Sequence, residues 1–207
     1  MSAVDLLRAH EPFALPSRVY EKLERAYRVP PRAYHSLEHI VAFAAHFAEV
    51  ARDVGWDDPK SVWCAMLFHD AVYDVKRHDN EAESARMAER VLSPIAAAHE
   101  LDLDRVAHLI TLTARHGHLR PVDLDRDAAL FVDCDMAILG AEPSGFASYE
   151  SAICTEYAAV IDAESFAYGR AAFLQTLLKS DRIYVSAYWH DRLEEKARAN
   201  IRHAFGV

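Results

Sequence analysis

Residues 58–74 read DPKSVWCAMLFHDAVYD, and the way this stretch folds decides the class of the chain. Asp58 followed by Pro59 is a strong helix-start signal. The carboxylate can accept from amides of the first turn, and proline at the first helical position gives up no hydrogen bond. The apolar run that follows predicts a helix through the whole segment, surrounded by apolar neighbours on nearly every side. Working outward, helical periodicity dominates and alternating apolar and polar runs are scarce. Pro16–Ser17 opens a helix through about Arg28, closed off by Pro30–Pro31. The next runs from about His35 to Val54, with Ser36 as cap and Gly55 as stop. Asn80 begins another, with Glu83 completing a capping-box-like pair and a break expected near Pro94. Further helices are expected over Asp104–His116, Asp125–Leu139, Ser148–Ile161, Glu164–Leu178 and Asp191–Phe205. The chain reads as all-α, a compact multi-helix bundle in a single domain over 1–207, with C-terminal helices (about 145–207) packing on the core.

Composition narrows the function. Hydrophobic residues make up 52% and charged residues 27%, an ordinary globular balance that argues against disorder. The net charge of −9 repels nucleic-acid polymers and anionic membranes, so neither is an expected partner. A small anion remains open, because a metal ion and a few basic residues can invert the field inside a pocket. Cys64, Cys134 and Cys154 form neither a disulfide framework nor a CxxC knuckle, which fits a reducing cytoplasm. The N-terminus lacks the features of a signal peptide, and no apolar run reaches the ~20 residues of a membrane span. The expected location is cytoplasmic.

Twelve histidines make any one of them uninformative. Of three His-Asp dipeptides, His78–Asp79 and His190–Asp191 sit in polar surroundings and read as solvated surface, with Asp191 as a cap. His69–Asp70 is different, because it ends the apolar run quoted above. Burying an imidazole beside a carboxylate is costly unless both find partners. A satisfied core pair would do, and so would a metal ion, which takes a neutral imidazole nitrogen and a carboxylate oxygen together. Upstream, His35 and His39 stand at i and i+4, on one face of the expected helix. Downstream, Asp133 and Asp135 lie on different faces, and Asp135 is read as the buried one from its apolar neighbours. Histidine, His–Asp and Asp on three helices suggest one shared centre.

In this order His39, His69–Asp70 and Asp135 resemble the H…HD…D signature of the HD superfamily of metal-dependent phosphohydrolases. YHSLEHI, residues 34–40, is similar to the YHxxxH segment of cyclic nucleotide phosphodiesterases. That likeness implies His35 as proton donor and His39 as metal ligand. HDAVYD places Asp74 where HD hydrolases of alarmone nucleotides carry an acidic residue near the attacking water. The fullest likeness is to a bacterial branch of predicted HD phosphohydrolases, through FHDAVYD, NEAESA, ITLTARH, DMAILG, EYAAV, GRAAFLQTLL and RIY. The Gly-Tyr-Pro motif of cyclic dinucleotide hydrolases and the purine clamp of cyclic nucleotide enzymes are both missing, so neither substrate is carried over.

The resemblance implies a helical HD domain in which His39, His69, Asp70 and Asp135 hold a divalent ion (Mn, Mg, Zn, Fe or Ni). Asp70 can bridge to a second ion, with His116 either an added ligand or a polar helix end. Asp74 would orient water and His35 would protonate the leaving oxygen of a small phosphorylated substrate, a nucleotide being favoured. Arg77 and Arg170 are the basic candidates for substrate charge. Arg170 lies in the apolar run AYGRAAFL, where a guanidinium needs a phosphate or a carboxylate; a structural salt bridge serves equally. Tyr157, Phe166, Phe173 and Tyr184 read as core, although the aromatic C-terminal helices could also form a homodimer face. Two other functions are consistent with the architecture: a two-iron oxygenase and a ligand sensor without turnover.

Overall fold

A computed structural model describes residues 1–205, all helices, turns and loops with no strand among them. Contacts divide the chain into two units, Met1–Ala114 and Arg115–Val207.

The first unit holds six helices: α1 (Ala3–Arg8), α2 (Ser17–Tyr27), α3 (Leu37–Asp53), α4 (Pro59–Phe68), α5 (Asn80–His99) and α6 (Leu103–Leu112). Its centre is α4, where every residue from Ser61 to Phe68 is fully buried. A helix that is apolar all round needs neighbours on several sides, and α4 packs against α3, α5 and α6. The Asp58 side chain accepts from Ser61 N, so the cap read from sequence is in place. Where α4 stops is another matter. The expected helix continued through Asp74, whereas the structure ends it at Phe68 and leaves residues 69–79 as turns. Ser36 caps α3 by accepting from Glu38 N, which puts His35 ahead of the helix rather than on its first turn.

Pro94 does not break α5. It lies on the exposed side, so its ring displaces no core packing, while Leu92 and Ile95 are buried on either side of it. The start of α5 also differs from expectation. Asp79 holds the cap position, but its side chain accepts from Arg77 and not from the first-turn amides, and Glu83 pairs with Arg86 instead of closing a capping box.

The second unit carries α7 (Arg126–Met136), a 3-10 turn over Ala137–Gly140, α8 (Pro143–Tyr157), α9 (Ala163–Lys179) and α10 (Ala187–Ala204). Asp125, Asp162 and Ser186 cap α7, α9 and α10. The cap of α10 is therefore Ser186 rather than Asp191. A Cβ on Gly140 would lie 2.7 Å from Leu193 Cβ, so this turn and α10 meet backbone to side chain. Asn200 Nδ2 ties them further, donating to Leu139 O at 2.9 Å and Ala141 O at 2.8 Å. Of the four aromatics read as core, Tyr184 is fully buried; Tyr157, Phe166 and Phe173 are half-buried. Among the described residues no helix is long and apolar enough to cross a membrane.

Candidate metal centre

Three potential ligands converge in the first unit. His39 stands in the first turn of α3, His69 is the residue that closes α4, and Asp70 follows it. His39 Nε2 and His69 Nε2 are 3.1 Å apart. Asp70 Oδ2 lies 3.0 Å from His69 Nε2 and 3.7 Å from His39 Nε2. The three donor atoms all lie within 4.8 Å of one another, a spacing that lets one cation touch each. Both imidazoles are buried, and Phe43 and Tyr34 wall them in, with ring centroids 5.5 Å from His69 and 4.8 Å from His39.

The donor chemistry can be read from one hydrogen bond. His69 Nδ1 lies 2.9 Å from the carbonyl oxygen of Met66. A carbonyl only accepts, so Nδ1 carries a proton, and in a neutral ring that leaves Nε2 as the ligating nitrogen. In that tautomer Nε2 meets a carboxylate oxygen at 3.0 Å, and two acceptors in such contact repel. A cation between them removes the conflict, and a backbone carbonyl fixing the far nitrogen is the usual way a protein orients a metal-binding histidine. The set of two imidazole nitrogens and one carboxylate oxygen fits a divalent transition ion.

Around this trio, His35 sits in the turn before α3 with its ring 6.3 Å from that of His39. It stacks on Tyr73 at 4.1 Å and an interplanar angle of 27°. Asp74 is exposed, in the loop after α4. Its Oδ1 accepts from Lys76 N, and its backbone amide and carbonyl both bond to the Asn80 side-chain amide. Arg77 is exposed and forms a two-pronged pair with Asp79, each bond 2.8 Å. His78 is exposed beside them, as its polar neighbours implied.

In the second unit, Asp135 near the end of α7 is 2.8 Å from His116 Nε2. The choice between the two aspartates on α7 is reversed relative to the sequence reading. Asp133 is the fully buried one and Asp135 is half-buried. Asp133 accepts from Val185 N, Ser186 N and Ser186 Oγ at 2.9, 2.7 and 2.6 Å. Loss of water pushes its carboxyl up, to about 7, against those three bonds, which favour the ionised form. Arg170 is paired with Glu150 and lies over the rings of Tyr149 and Phe173. His190, read as surface, is half-buried, with Nδ1 accepting from Arg182 Nε at 3.1 Å.

Sequence reasoning passed over two residues beside the trio, Arg32 and Tyr73. The local signal for Arg32 was its place in PPRAYH, between a helix stop and the first candidate histidine.

Compared with known proteins, residues 36–135 match the family model described as the HD domain. No curated protein and no solved structure matches the chain.

Proposed function

The chain carries an HD domain over residues 36–135, and from that premise we infer a metal-dependent phosphohydrolase. Its substrate would be a small phosphate ester or phosphoanhydride, a nucleotide in first place. The observation that carries this reading is the convergence of three donor atoms at one point, with the His69 ring held by Nδ1–H to Met66 O and its Nε2 facing Asp70 and His39. His39, His69 and Asp70 would hold the ion. When bound, a divalent ion lowers the pKa of water toward neutrality and draws charge from a phosphoryl oxygen.

The chain's own residues would supply the rest. The His35 imidazole, braced by the Tyr73 ring, would give a proton to the departing oxygen. Asp74 would orient the attacking water. Burial of both ligand imidazoles keeps the local dielectric low, which strengthens each electrostatic contact made there. The net charge of −9 favours a small substrate that enters a local site over a polyanion that must lie along the surface.

A phosphate-release screen over nucleotides and simple phosphomonoesters, with Mn²⁺, Mg²⁺ or Zn²⁺, tests this. Wild type is expected to turn over and Asp70→Ala to lose at least about 100-fold. Asp74→Asn keeps an acceptor for Lys76 N and loses only the charge, so turnover should fall about 100-fold with metal affinity unchanged. Phosphate release that survives in Asp70→Ala, or a chain purified with two irons that consumes O₂, would overturn the reading.

A further inference from the structure

We propose that Arg32 is a positioning residue for the metal trio, tying the turn that leads into α3 to the chain leaving α4. The proposal rests on the metal-binding reading above and adds a residue that neither the HD motif nor the ligand set contains. Arg32 Nη1 donates to His35 O at 2.6 Å and to Asp70 O at 2.9 Å, and Nη2 donates to Ala71 O at 3.2 Å. One rigid guanidinium thus bonds to the backbone of His35, four residues before His39, and to that of ligand Asp70 itself. Its plane is also enclosed by rings: Tyr27 lies 5.0 Å and Tyr73 5.5 Å from the central carbon. Tyr73 in turn carries the His35 ring, and Tyr27 Oη donates to Leu67 O within the last turn of α4.

The consequence for the trio is geometric. His39 comes from the start of one helix and His69–Asp70 from the end of another. Their 3.0–3.7 Å spacings therefore depend on how those two chain ends are held. Carbonyls past a helix end lack amide partners of their own, and at Asp70 and Ala71 the guanidinium supplies the donors. Lysine could not replace it. An ammonium keeps the charge but cannot reach three carbonyls in a plane while lying between two aromatic faces.

The test is Mn²⁺ binding by calorimetry on the full chain, run beside thermal melts in EDTA, for wild type, Arg32→Ala, Arg32→Lys and the ligand variant His69→Ala. Residues that orient metal ligands typically change affinity by 10- to 100-fold, so Arg32→Ala is expected to bind Mn²⁺ about 10- to 100-fold more weakly. Low millimolar methylguanidinium should restore part of that loss in Arg32→Ala and do nothing in wild type. Arg32→Lys should fall about 10-fold, and it carries the test if the alanine variant does not fold. A purely structural staple would lower the melting temperature and leave Mn²⁺ affinity intact; wild-type affinity in either folded variant overturns the proposal. If wild type binds no Mn²⁺, or His69→Ala binds as well as wild type, the metal reading itself fails and takes this one with it.

Discussion

Asp70→Asn separates a metal centre from a satisfied core pair by the sign of its effect in the absence of metal. In the wild-type chain Asp70 Oδ2 sits 3.0 Å from His69 Nε2, and with Nδ1 turned to Met66 O a neutral His69 ring has no proton at Nε2. An asparagine amide at that point can turn its NH₂ toward the bare nitrogen. It would exchange a repulsive contact for a hydrogen bond with a net worth of about 1 kcal/mol. For a chain of this size 1 kcal/mol moves the melting temperature by roughly 2–4 °C, so in EDTA the variant should melt at or above the wild type by about that much. Were Asp70 instead the structural partner of a protonated His69, the same change would break a charged hydrogen bond and cost about 2 kcal/mol, shifting the melt down. Added metal gives the second arm. At a free concentration of 100 Kd, binding to the native state stabilises by about 2.7 kcal/mol, or roughly 5–10 °C, in wild type. Asp70→Asn should show little of that rise. Differential scanning fluorimetry with EDTA and with a Mn²⁺ titration reads both arms. A variant that melts well below wild type in EDTA, or that gains the full metal-induced rise, refutes the reasoning.

Two further outcomes concern the second unit. Burial alone would raise the Glu194 carboxyl, but bonds from Ile183 N, Tyr184 N and Arg198 Nε outweigh it and hold the group below its ordinary 4.5. A lowered folded-state pKa gives stability that is present above 4.5 and is lost as pH falls through the folded value. Glu194→Gln should therefore lose about 2 kcal/mol near pH 7 and flatten the acid limb of urea midpoints measured against pH; an unchanged limb would count against this. Gly140→Ala places a methyl 2.7 Å from Leu193 Cβ and 3.1 Å from Tyr184 Oη. It should cost about 1–3 kcal/mol by urea denaturation, with Leu193→Ala recovering part of the loss in the double variant.

What could be read from the sequence was whatever depends on near neighbours. The Asp58–Pro59 start of α4 and the Ser36 cap of α3 involve residues within one turn, and the structure has both. The end of α4 was not legible, because the apolar pattern runs on past Phe68. The carbonyls of Asp70 and Ala71 are claimed instead by Arg32, at sequence separations of 38 and 39. The same limit explains the exchange of Asp133 and Asp135. Apolar offsets along α7 favoured Asp135, whereas the donors that admit a carboxylate to the interior come from Val185 and Ser186, 52 and 53 residues away. The meeting of His39 with His69 and Asp70 was legible as chemistry, since each helix end carried a polar group against an apolar stripe, but not as distances.

The grip of Asp133 on Val185 and Ser186 also bears on where this gene product can be shortened. The stretch matched to the family stops at Asp135, inside α7. A recombinant piece trimmed to that boundary would strand an ionisable carboxyl in an apolar setting with its amide donors deleted, and would strip the helix of α10, its packing partner. Such a fragment should be insoluble or quickly degraded in the producing cell, so expression plasmids for this protein should carry the coding sequence through α10.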